Sequence, residues 1–213
     1  MLLSRRNTLS LVGASLIAPA LAAPAFADGT TFSPFSQRSI GSPKAPVTAI
    51  EYFSLTCTHC AHFATVTMPK VKPNLVDTGK LQIIYKDFPL DNVALMAAQV
   101  ARCLPPAQYY PFIEALFAAQ DEWAFVPVPD PNHPPDYVAL LYKYAVLAGM
   151  DQPTYQAALA NTKLKNFILQ GEQQAETKDN INATPTFIIN GKIMPGAMEY
   201  DDFAAAVAQA AAG

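Results

Sequence analysis

The sequence contains few charged residues and no cluster of basic ones. Asp, Glu, Lys and Arg together make up 15% of the 213 residues, whereas 51% are hydrophobic. This composition favours a folded chain with a full core over a disordered one. Because the formal net charge is −3 and no run of Lys or Arg occurs, nucleic acid is not expected as a partner. The length fits one domain, or one domain with a sizeable insertion.

No apolar run is long enough to cross a bilayer. The apolar stretch from Leu9 to Leu21 falls short of the roughly 20 residues that a spanning helix needs. Arg5 and Arg6 precede it, and Ala25-Phe26-Ala27 follows it as an A-x-A cleavage site. Residues 1–27 are therefore predicted to be a secretory signal peptide, with a retained membrane anchor as the alternative.

The predicted signal peptide indicates export to the periplasm. Ser4-Arg5-Arg6 is similar to a twin-arginine signal, although Thr8 departs from that pattern, so the twin-arginine and general secretory routes both stay open. Cleavage would remove two of the 14 basic residues and no acidic one, leaving 12 basic and 17 acidic residues, a net charge of −5. In an oxidising compartment a cysteine pair can persist as a disulfide and exchange it with other proteins.

Cysteine is scarce, and two of the three cysteines form one motif. Cys57 and Cys60 are spaced i and i+3, after the apolar run 47–53 and at the start of a segment with a helical pattern. Their side chains then lie on one face of a helix, close enough to form a disulfide. The partial positive charge at a helix N-terminus favours a thiolate, and reactive thiols occur in such C-x-x-C motifs. The surrounding βαβ pattern predicts a thioredoxin-like redox site.

Zinc and haem sites built on a C-x-x-C motif require further residues that this chain does not provide. A structural zinc site needs four ligands, and the chain has no second cysteine pair. With His59 and His62 the motif has four candidate ligands, but all four lie within six residues of one helix. Such a helix would surround a tetrahedral ion poorly. A c-type haem site needs His where the chain has Ala61. Two unrelated buried cysteines are a further alternative, and we predict no metal and no cofactor.

Two runs rich in apolar residues, 47–53 and 81–86, are predicted to be strands. The segment between them has a helical pattern to about residue 77, with a kink expected at Met68-Pro69. In such a βαβ unit the parallel strands lie next to or near each other. Residues 28–45 are rich in turns and are expected to form a tail with a short edge strand.

The rest of the chain is predicted to be helical except near its end. Residues 186–189 and 192–194 should form a hairpin around Asn190-Gly191, followed by a helix at 200–212. A helical subdomain at about 91–180 is expected to be inserted into the thioredoxin-like unit, with the proline-rich stretch 127–135 as a stiff loop. Its first predicted helix begins at the N-cap Asp91, and another begins near Asp151. The other three cover about 108–123, 136–148 and 162–179.

Three features match a known family in register. The first is the segment Ile50-Glu51-Tyr52-Phe53-Ser54, which leads into Cys57-Thr58-His59-Cys60. The second is Thr184-Pro185, which opens a strand and hairpin as a cis-proline loop does. The third is the helical insertion between the C-x-x-C motif and that loop. In these features the chain resembles the DsbA-like thiol:disulfide oxidoreductases of the bacterial periplasm. The resemblance covers nearly all of the chain after residue 27 and implies an α/β, thioredoxin-like fold with an inserted all-helical subdomain.

The resemblance implies a role for each residue of the motif. Cys57 would be the nucleophile, Cys60 the resolving thiol, and His59 would stabilise the Cys57 thiolate by its charge and dipole. A more stable thiolate favours the reduced form and makes the disulfide a stronger oxidant. Thr58, predicted to contact substrate, replaces the proline of the best-known family motif, Cys-Pro-His-Cys, at a position that tunes the reduction potential.

Two further sites follow from the resemblance. Glu51 occupies the place of a buried acid that exchanges a proton with the resolving thiol, and its pKa should be raised unless it is paired. Lys86, at the end of the neighbouring strand, is a candidate partner. The bond between Thr184 and Pro185 should be cis, which turns the Thr184 backbone toward Cys57, where it would bind an extended substrate peptide.

The predicted function is that of an exported oxidoreductase that donates its Cys57–Cys60 disulfide to cysteine-containing exported proteins. The resemblance also implies a membrane redox partner that reoxidises the pair. Two alternatives stay open: a disulfide isomerase or reductase held reduced by another system, and a periplasmic copper- or zinc-binding module using Cys57, His59 and Cys60. Cys103 lies on an apolar stripe and is interpreted as a small buried hydrophobic residue.

Overall fold

A mixed five-stranded sheet organises the part of the chain that this computed structural model describes, residues 32–128, 130 and 132–213. The predicted signal peptide lies outside the described residues, as do Pro129 and Pro131 of the proline-rich loop. Among the described helices, none combines the length and the apolar character that crossing a membrane requires. The strand order is β1 (Arg38–Ile40), β3 (Leu81–Asp87), β2 (Val47–Phe53), β4 (Thr186–Ile189) and β5 (Lys192–Pro195).

β2 is the central strand of the sheet. It runs parallel to β3, as the predicted βαβ unit requires, and antiparallel to β4. Val47, Ala49 and Phe53 are almost fully buried, which is typical of a strand covered on both faces. The edge strand expected in the tail is β1, which pairs antiparallel with β3. The C-x-x-C motif therefore follows the end of the most enclosed strand.

The helix after the motif contains two π-helical stretches. α1 (Thr58–His62) is joined to α2 (Met68–Val71) by π-helical residues 63–67, and a second π-helical stretch, 72–76, follows α2. Pro69 cannot donate a backbone hydrogen bond, and its ring crowds the carbonyl four residues earlier, at Thr65. A locally wider turn relieves this crowding. The kink predicted at Met68-Pro69 thus takes the form of a π-helical stretch before the proline.

In the described chain, six helices connect β3 to β4 and confirm the helical insertion. Polar side chains cap the N-termini of four of them: Asp91, Asp136, Asp151 and Asn161 each accept a hydrogen bond from a backbone N–H in the first turn. The helices are α3 (Asn92–Arg102), α4 (Pro106–Ala118), α5 (Gln120–Trp123), α6 (Tyr137–Leu147), α7 (Gln152–Ala160) and α8 (Thr162–Lys178).

The single helix predicted at 108–123 is two helices. The chain leaves helical geometry at Ala119, where φ is −118° and ψ is 25°, and α5 begins at the next residue. Trp123 is fully buried, and its Nε1 donates to Leu116 O at 2.8 Å, which fixes α5 against α4. Residue 119 is neither glycine nor proline, and the periodic apolar pattern continues through the break. The sequence therefore does not mark where the first helix ends.

The end of the chain forms the predicted hairpin and final helix. Asn190 and Gly191 have φ of 43° and 86°, the left-handed geometry of a tight two-residue turn. Asn190 also ties the turn to the start of β2, because its Oδ1 accepts from Thr48 N and its N donates to Thr48 O, both at 3.1 Å. α9 (Tyr200–Ala212) then packs against the sheet through buried Phe203.

Candidate active site

Cys57 lies at the N-terminus of α1, directly after the central strand. The three-residue loop 54–56 leads to it from β2, and Cys57 N donates to Ser54 O at 3.1 Å. Cys57 is the N-cap residue of α1, and its Sγ accepts a hydrogen bond from Cys60 N at 3.4 Å. Backbone N–H groups at a helix N-terminus stabilise negative charge, so this position favours a thiolate.

The pKa of the Cys57 thiol is lowered to about 5. The hydrogen bond with the Cys60 side chain lowers it most, and the Thr184 side chain and the backbone N–H groups of Cys60 and His59 lower it further, while burial opposes the shift. A thiol with this pKa is almost entirely ionised at pH 7, and the thiolate is the reactive form of cysteine.

We expect reduced protein to react with iodoacetamide at a rate that follows the ionisation of Cys57. The rate should rise with pH around a midpoint near 5 and then level off, and the thiolate absorbance near 240 nm should show the same midpoint. The Cys103→Ser variant is the control, since the pKa of Cys103 is raised by burial and its loss should not move the midpoint. A midpoint near the ordinary value of about 8.5 would contradict this ionisation state.

Cys60 is the more enclosed member of the pair, 0% exposed against 7% for Cys57. The pKa of its thiol is raised well above its ordinary value, first by burial, then by the hydrogen bond and charge of Cys57, and further by the charge of Glu51. Near neutral pH the motif therefore holds one thiolate and one thiol, and only the thiolate lies toward the surface.

The loop that faces Cys57 contains a cis peptide bond between Thr184 and Pro185, as the family resemblance implies. Thr184 O lies 3.2 Å from Cys57 Sγ, so a protonated Cys57 thiol donates to this carbonyl. Thr184 Oγ1 is buried and has no hydrogen-bond partner among the described residues. It is thus available as a donor once Cys57 is ionised, in agreement with its effect on the Cys57 pKa.

Glu51 is a buried acid in the middle of the sheet. Its residue is 3% exposed and pairs in register with Tyr85 of β3 on one side and with Phe187 of β4 on the other. The pKa of its carboxyl is raised to about 8, mainly by burial and further by the charge of Cys57. Near neutral pH this carboxyl is therefore mostly protonated.

Lys86 is not the partner of Glu51. It pairs in register with Tyr52, the residue after Glu51, and successive side chains of a strand point to opposite faces of the sheet. Lys86 is exposed and lines a cavity near α8 together with Tyr52 and Asp179, on the other face from Glu51. The candidate pairing was wrong because proximity along neighbouring strands does not fix which face a side chain occupies.

A small cavity of about 10 Å³ adjoins the Glu51 side chain, between the helix that follows the motif and α4. Tyr85 and Tyr110 line it with their rings stacked 5.9 Å apart, and exposed Glu114 also contributes to its wall. Among the described residues, no side chain forms a hydrogen bond or an ion pair with the Glu51 carboxyl. Apolar and aromatic walls of this kind account for its raised pKa.

The two central residues of the motif, Thr58 and His59, are both exposed. The contribution of His59 to the Cys57 pKa comes through its backbone N–H. Its imidazole makes no hydrogen bond within the described part of the chain, so stabilisation of the Cys57 thiolate by the charge of His59 stays a prediction, as does the contact of Thr58 with substrate. His62, one turn later, lies 3.0 Å from Glu199 at the surface.

Thr56 joins the loop before Cys57 to the helical insertion. Its Oγ1 donates to Asp91 Oδ2 at 2.7 Å, while Asp91 Oδ1 accepts from Ala94 N as the cap of α3. Ser54 Oγ lies 3.2 Å from Thr56 Oγ1 and completes this polar chain. Sequence reasoning predicted the cap but missed the second contact, because a cap is a local signal and Thr56 lies 35 residues away from Asp91.

Within residues 32–128, 130 and 132–213, no group of three or more His, Cys, Asp or Glu side chains is arranged to hold a metal ion. His59 is exposed at the surface while Cys60 is fully enclosed, so Cys57, His59 and Cys60 do not converge on one point. An outer thiolate beside an enclosed thiol instead suits thiol–disulfide exchange.

Comparison with known proteins agrees with this geometry. The thioredoxin family model matches residues 35–209. The structure is similar to alpha-DsbA1 of Wolbachia pipientis, with a TM-score of 0.75 and 30% identity, over 83% of this chain and 92% of that one. BdbD of Bacillus subtilis, 22% identical, shares the fold with a TM-score of 0.69 over 83% of this chain and 94% of its own.

Curated relatives include a putative protein-disulfide oxidoreductase of Rickettsia conorii, 27% identical over 172 residues, or 80% of this chain. The chain spans 59% of the length of that relative. The region matched by the family model includes the C-x-x-C motif, the cis-proline loop and the helical insertion between them. The chain belongs to the thioredoxin family and, within it, to the DsbA-like thiol:disulfide oxidoreductases.

Proposed function

We propose that the chain is an exported thiol:disulfide oxidoreductase that donates the Cys57–Cys60 disulfide to newly exported, cysteine-containing proteins. The observation that carries the proposal is the opposite displacement of the two thiol pKa values, with Cys57 lowered to about 5 and Cys60 raised. Stabilising the Cys57 thiolate stabilises the reduced form, and a stable reduced form makes the disulfide a strong oxidant.

The first step is attack on Cys57 Sγ by a substrate thiolate. A substrate–Cys57 disulfide forms, the Cys57–Cys60 bond breaks, and its electron pair leaves on Cys60 Sγ. Because the pKa of the Cys60 thiol is raised, this sulfur takes up a proton near neutral pH. Glu51, whose pKa is raised to about 8, is a protonated acid at that pH and is the proposed proton donor.

The second step releases the oxidised substrate. A second substrate thiolate attacks the substrate sulfur of the mixed disulfide, and the electron pair leaves on Cys57 Sγ. A sulfur whose pKa is about 5 is a good leaving group, so this step is fast and needs no proton for Cys57. Two electrons have then passed from the substrate dithiol to the Cys57–Cys60 pair.

Substrate is proposed to bind beside the cis-proline loop. The Thr184 carbonyl, 3.2 Å from Cys57 Sγ, lies where an extended peptide attached to Cys57 would pair with the backbone before Pro185. Thr58 and His59 are exposed and follow Cys57 directly in the chain, so they are proposed to contact the same peptide. The imidazolium form of His59 would add positive charge beside the thiolate.

Export and reoxidation complete the proposal. The basic, apolar and A-x-A segments within residues 1–27 support removal of a signal peptide and a periplasmic location. A protein that donates disulfides must be reoxidised after each turnover, so an oxidising partner is required, and the family resemblance suggests one in the membrane. In an oxidising compartment that partner, rather than glutathione, would set the redox state of the pair.

The reduction potential of the Cys57–Cys60 pair tests the direction of transfer. In glutathione buffers, mature protein with Cys103→Ser should equilibrate nearer to about −120 mV, the value of DsbA, than to about −270 mV, the value of thioredoxin. A value near that of thioredoxin would instead support the isomerase or reductase alternative. Failure to form any disulfide would favour the metal-binding alternative, which retention of copper or zinc after purification would then support.

A further inference from the structure

Gln120, at the start of α5, reaches the backbone of the C-x-x-C loop from the helical insertion. Its residue is 6% exposed, and its Nε2 donates to Leu55 O at 2.8 Å and to Cys57 O at 3.1 Å. A side-chain amide nitrogen carries two hydrogens, and these two carbonyls use both. One buried amide therefore holds the backbone at the active cysteine and two residues before it.

The backbone that carries the Gln120 side chain is itself held in place. Its backbone carbonyl accepts from Ala124 N at 2.8 Å and from Phe125 N at 2.9 Å, which closes the short helix α5. Trp123, fully buried and bonded to Leu116 O, fixes the same helix against α4. The amide therefore starts from a rigid base and is not a flexible surface group.

The Cys57 carbonyl also accepts from Ala61 N at 3.1 Å, the first hydrogen bond of α1. Its position thus fixes both the start of the helix and the direction in which the Cys57 side chain leaves the backbone. The pKa of Cys57 depends on that direction, because the N–H groups of His59 and Cys60 stabilise the thiolate only when Sγ lies at the cap position.

We propose that Gln120 is a positioning residue that holds Cys57 Sγ at the helix N-terminus and so keeps its disulfide strongly oxidising. The inference rests on the proposed function, in which Cys57 is the nucleophile. The helical insertion thereby contributes to the redox chemistry through a side chain more than 60 residues away in sequence.

The test uses two variants of close to the same size. Gln120→Met keeps length and volume but removes both donors, and Gln120→Glu places a carboxyl beside two carbonyl oxygens and the thiolate. For Gln120→Met we expect the Cys57 pKa to rise by about one unit and the equilibrium constant with glutathione to change about tenfold, or about 30 mV toward a less oxidising disulfide. Gln120→Glu should raise the Cys57 pKa further, and the effect should shrink at a pH that protonates the new carboxyl.

Gln99→Met is the matched control. Gln99 is 3% exposed, and its Nε2 donates to Ala158 O at 3.0 Å and Leu159 O at 3.3 Å, inside the insertion and with no contact to the motif. It should lose a comparable set of buried hydrogen bonds and some stability, with the Cys57 pKa and the reduction potential unchanged.

The inference is overturned if both Gln120 variants keep the wild-type pKa and potential, or if Gln99→Met changes them equally. If Gln120→Met does not fold, Gln120→Glu decides on the same measurements. If neither Gln120 variant folds while Gln99→Met does, the role of Gln120 is structural and the inference fails. An ordinary Cys57 pKa in the wild-type protein would instead overturn the proposed function itself.

Discussion

Cys60→Ser is expected to reduce turnover to the rate measured without protein and to leave substrates attached to Cys57. The variant keeps the ionised, outer sulfur but lacks the enclosed thiol that forms the disulfide and resolves a mixed one. The Cys57 thiolate can still attack a disulfide of an oxidised partner protein, which forms a mixed disulfide and releases the partner's other sulfur as a thiolate. The mixed disulfide accumulates because serine cannot displace the partner from Cys57 as the Cys60 thiol does. After acid quenching and alkylation, non-reducing electrophoresis should show covalent complexes that dithiothreitol removes.

Two further variants make this result specific to the motif. Cys57→Ser should lose turnover and form no complexes, since the remaining Cys60 is buried and its pKa is raised. Cys103→Ser should keep wild-type turnover, because Cys103 lies at the end of α3 and its raised pKa leaves it protonated. Undiminished turnover by Cys60→Ser, or complexes formed by Cys57→Ser, would contradict the assigned order of the two thiols.

The elements that could be predicted have signals contained in a few neighbouring residues. The spacing of Cys57 and Cys60 at the start of a helix needs only one turn of chain, and Asn190-Gly191 encodes its own hairpin geometry. Asp91 caps α3 through a hydrogen bond three residues ahead. The cis bond at Pro185 is different, because most such bonds are trans, and it was predicted only from the family resemblance.

The parts of the site that could not be predicted depend on contacts between distant residues. Lys86 was expected near Glu51, but the register of β2 and β3 puts it opposite Tyr52, on the other face of the sheet. The break at Ala119 has no glycine or proline to mark it, and it is what starts a new helix at Gln120. Apolar periodicity identifies a helix and its buried side, but it does not identify the carbonyl groups that a polar side chain on that helix will reach.

Glu51→Gln is expected to stabilise the reduced protein, and increasingly so as the pH rises from about 5 to about 8. The pKa of Glu51 is raised from its ordinary value near 4.5 to about 8 in the folded protein, mainly by burial. The folded state therefore binds more protons than the unfolded state between these values, and folding stability is lost as the pH rises through this window. Glutamine is uncharged at every pH and removes this loss.

The expected gain is large compared with the total stability of a domain. At about 1.4 kcal/mol per pKa unit, the difference between 4.5 and about 8 amounts to about 5 kcal/mol above pH 8, and to almost nothing below pH 4.5. Cys57 acts in the opposite direction, because its lowered pKa adds stability as the pH rises above about 5. The pH-dependent contributions of Glu51 and Cys57 to stability partly cancel in the wild-type reduced protein. The effect of Glu51 is therefore measured as the difference in unfolding free energy between wild type and variant.

Urea unfolding of both reduced proteins between pH 4.5 and 9 measures that difference. It should grow with pH and level off above about 8, while Glu114→Gln, an exposed carboxyl beside the same cavity, should show no such growth. In the oxidised proteins the difference in unfolding free energy should level off at a lower pH, because no Cys57 thiolate is then present to raise the Glu51 pKa. A difference that stays constant across the whole range would mean that Glu51 is not a buried, protonated acid, and Cys60 would then need another proton donor during disulfide transfer.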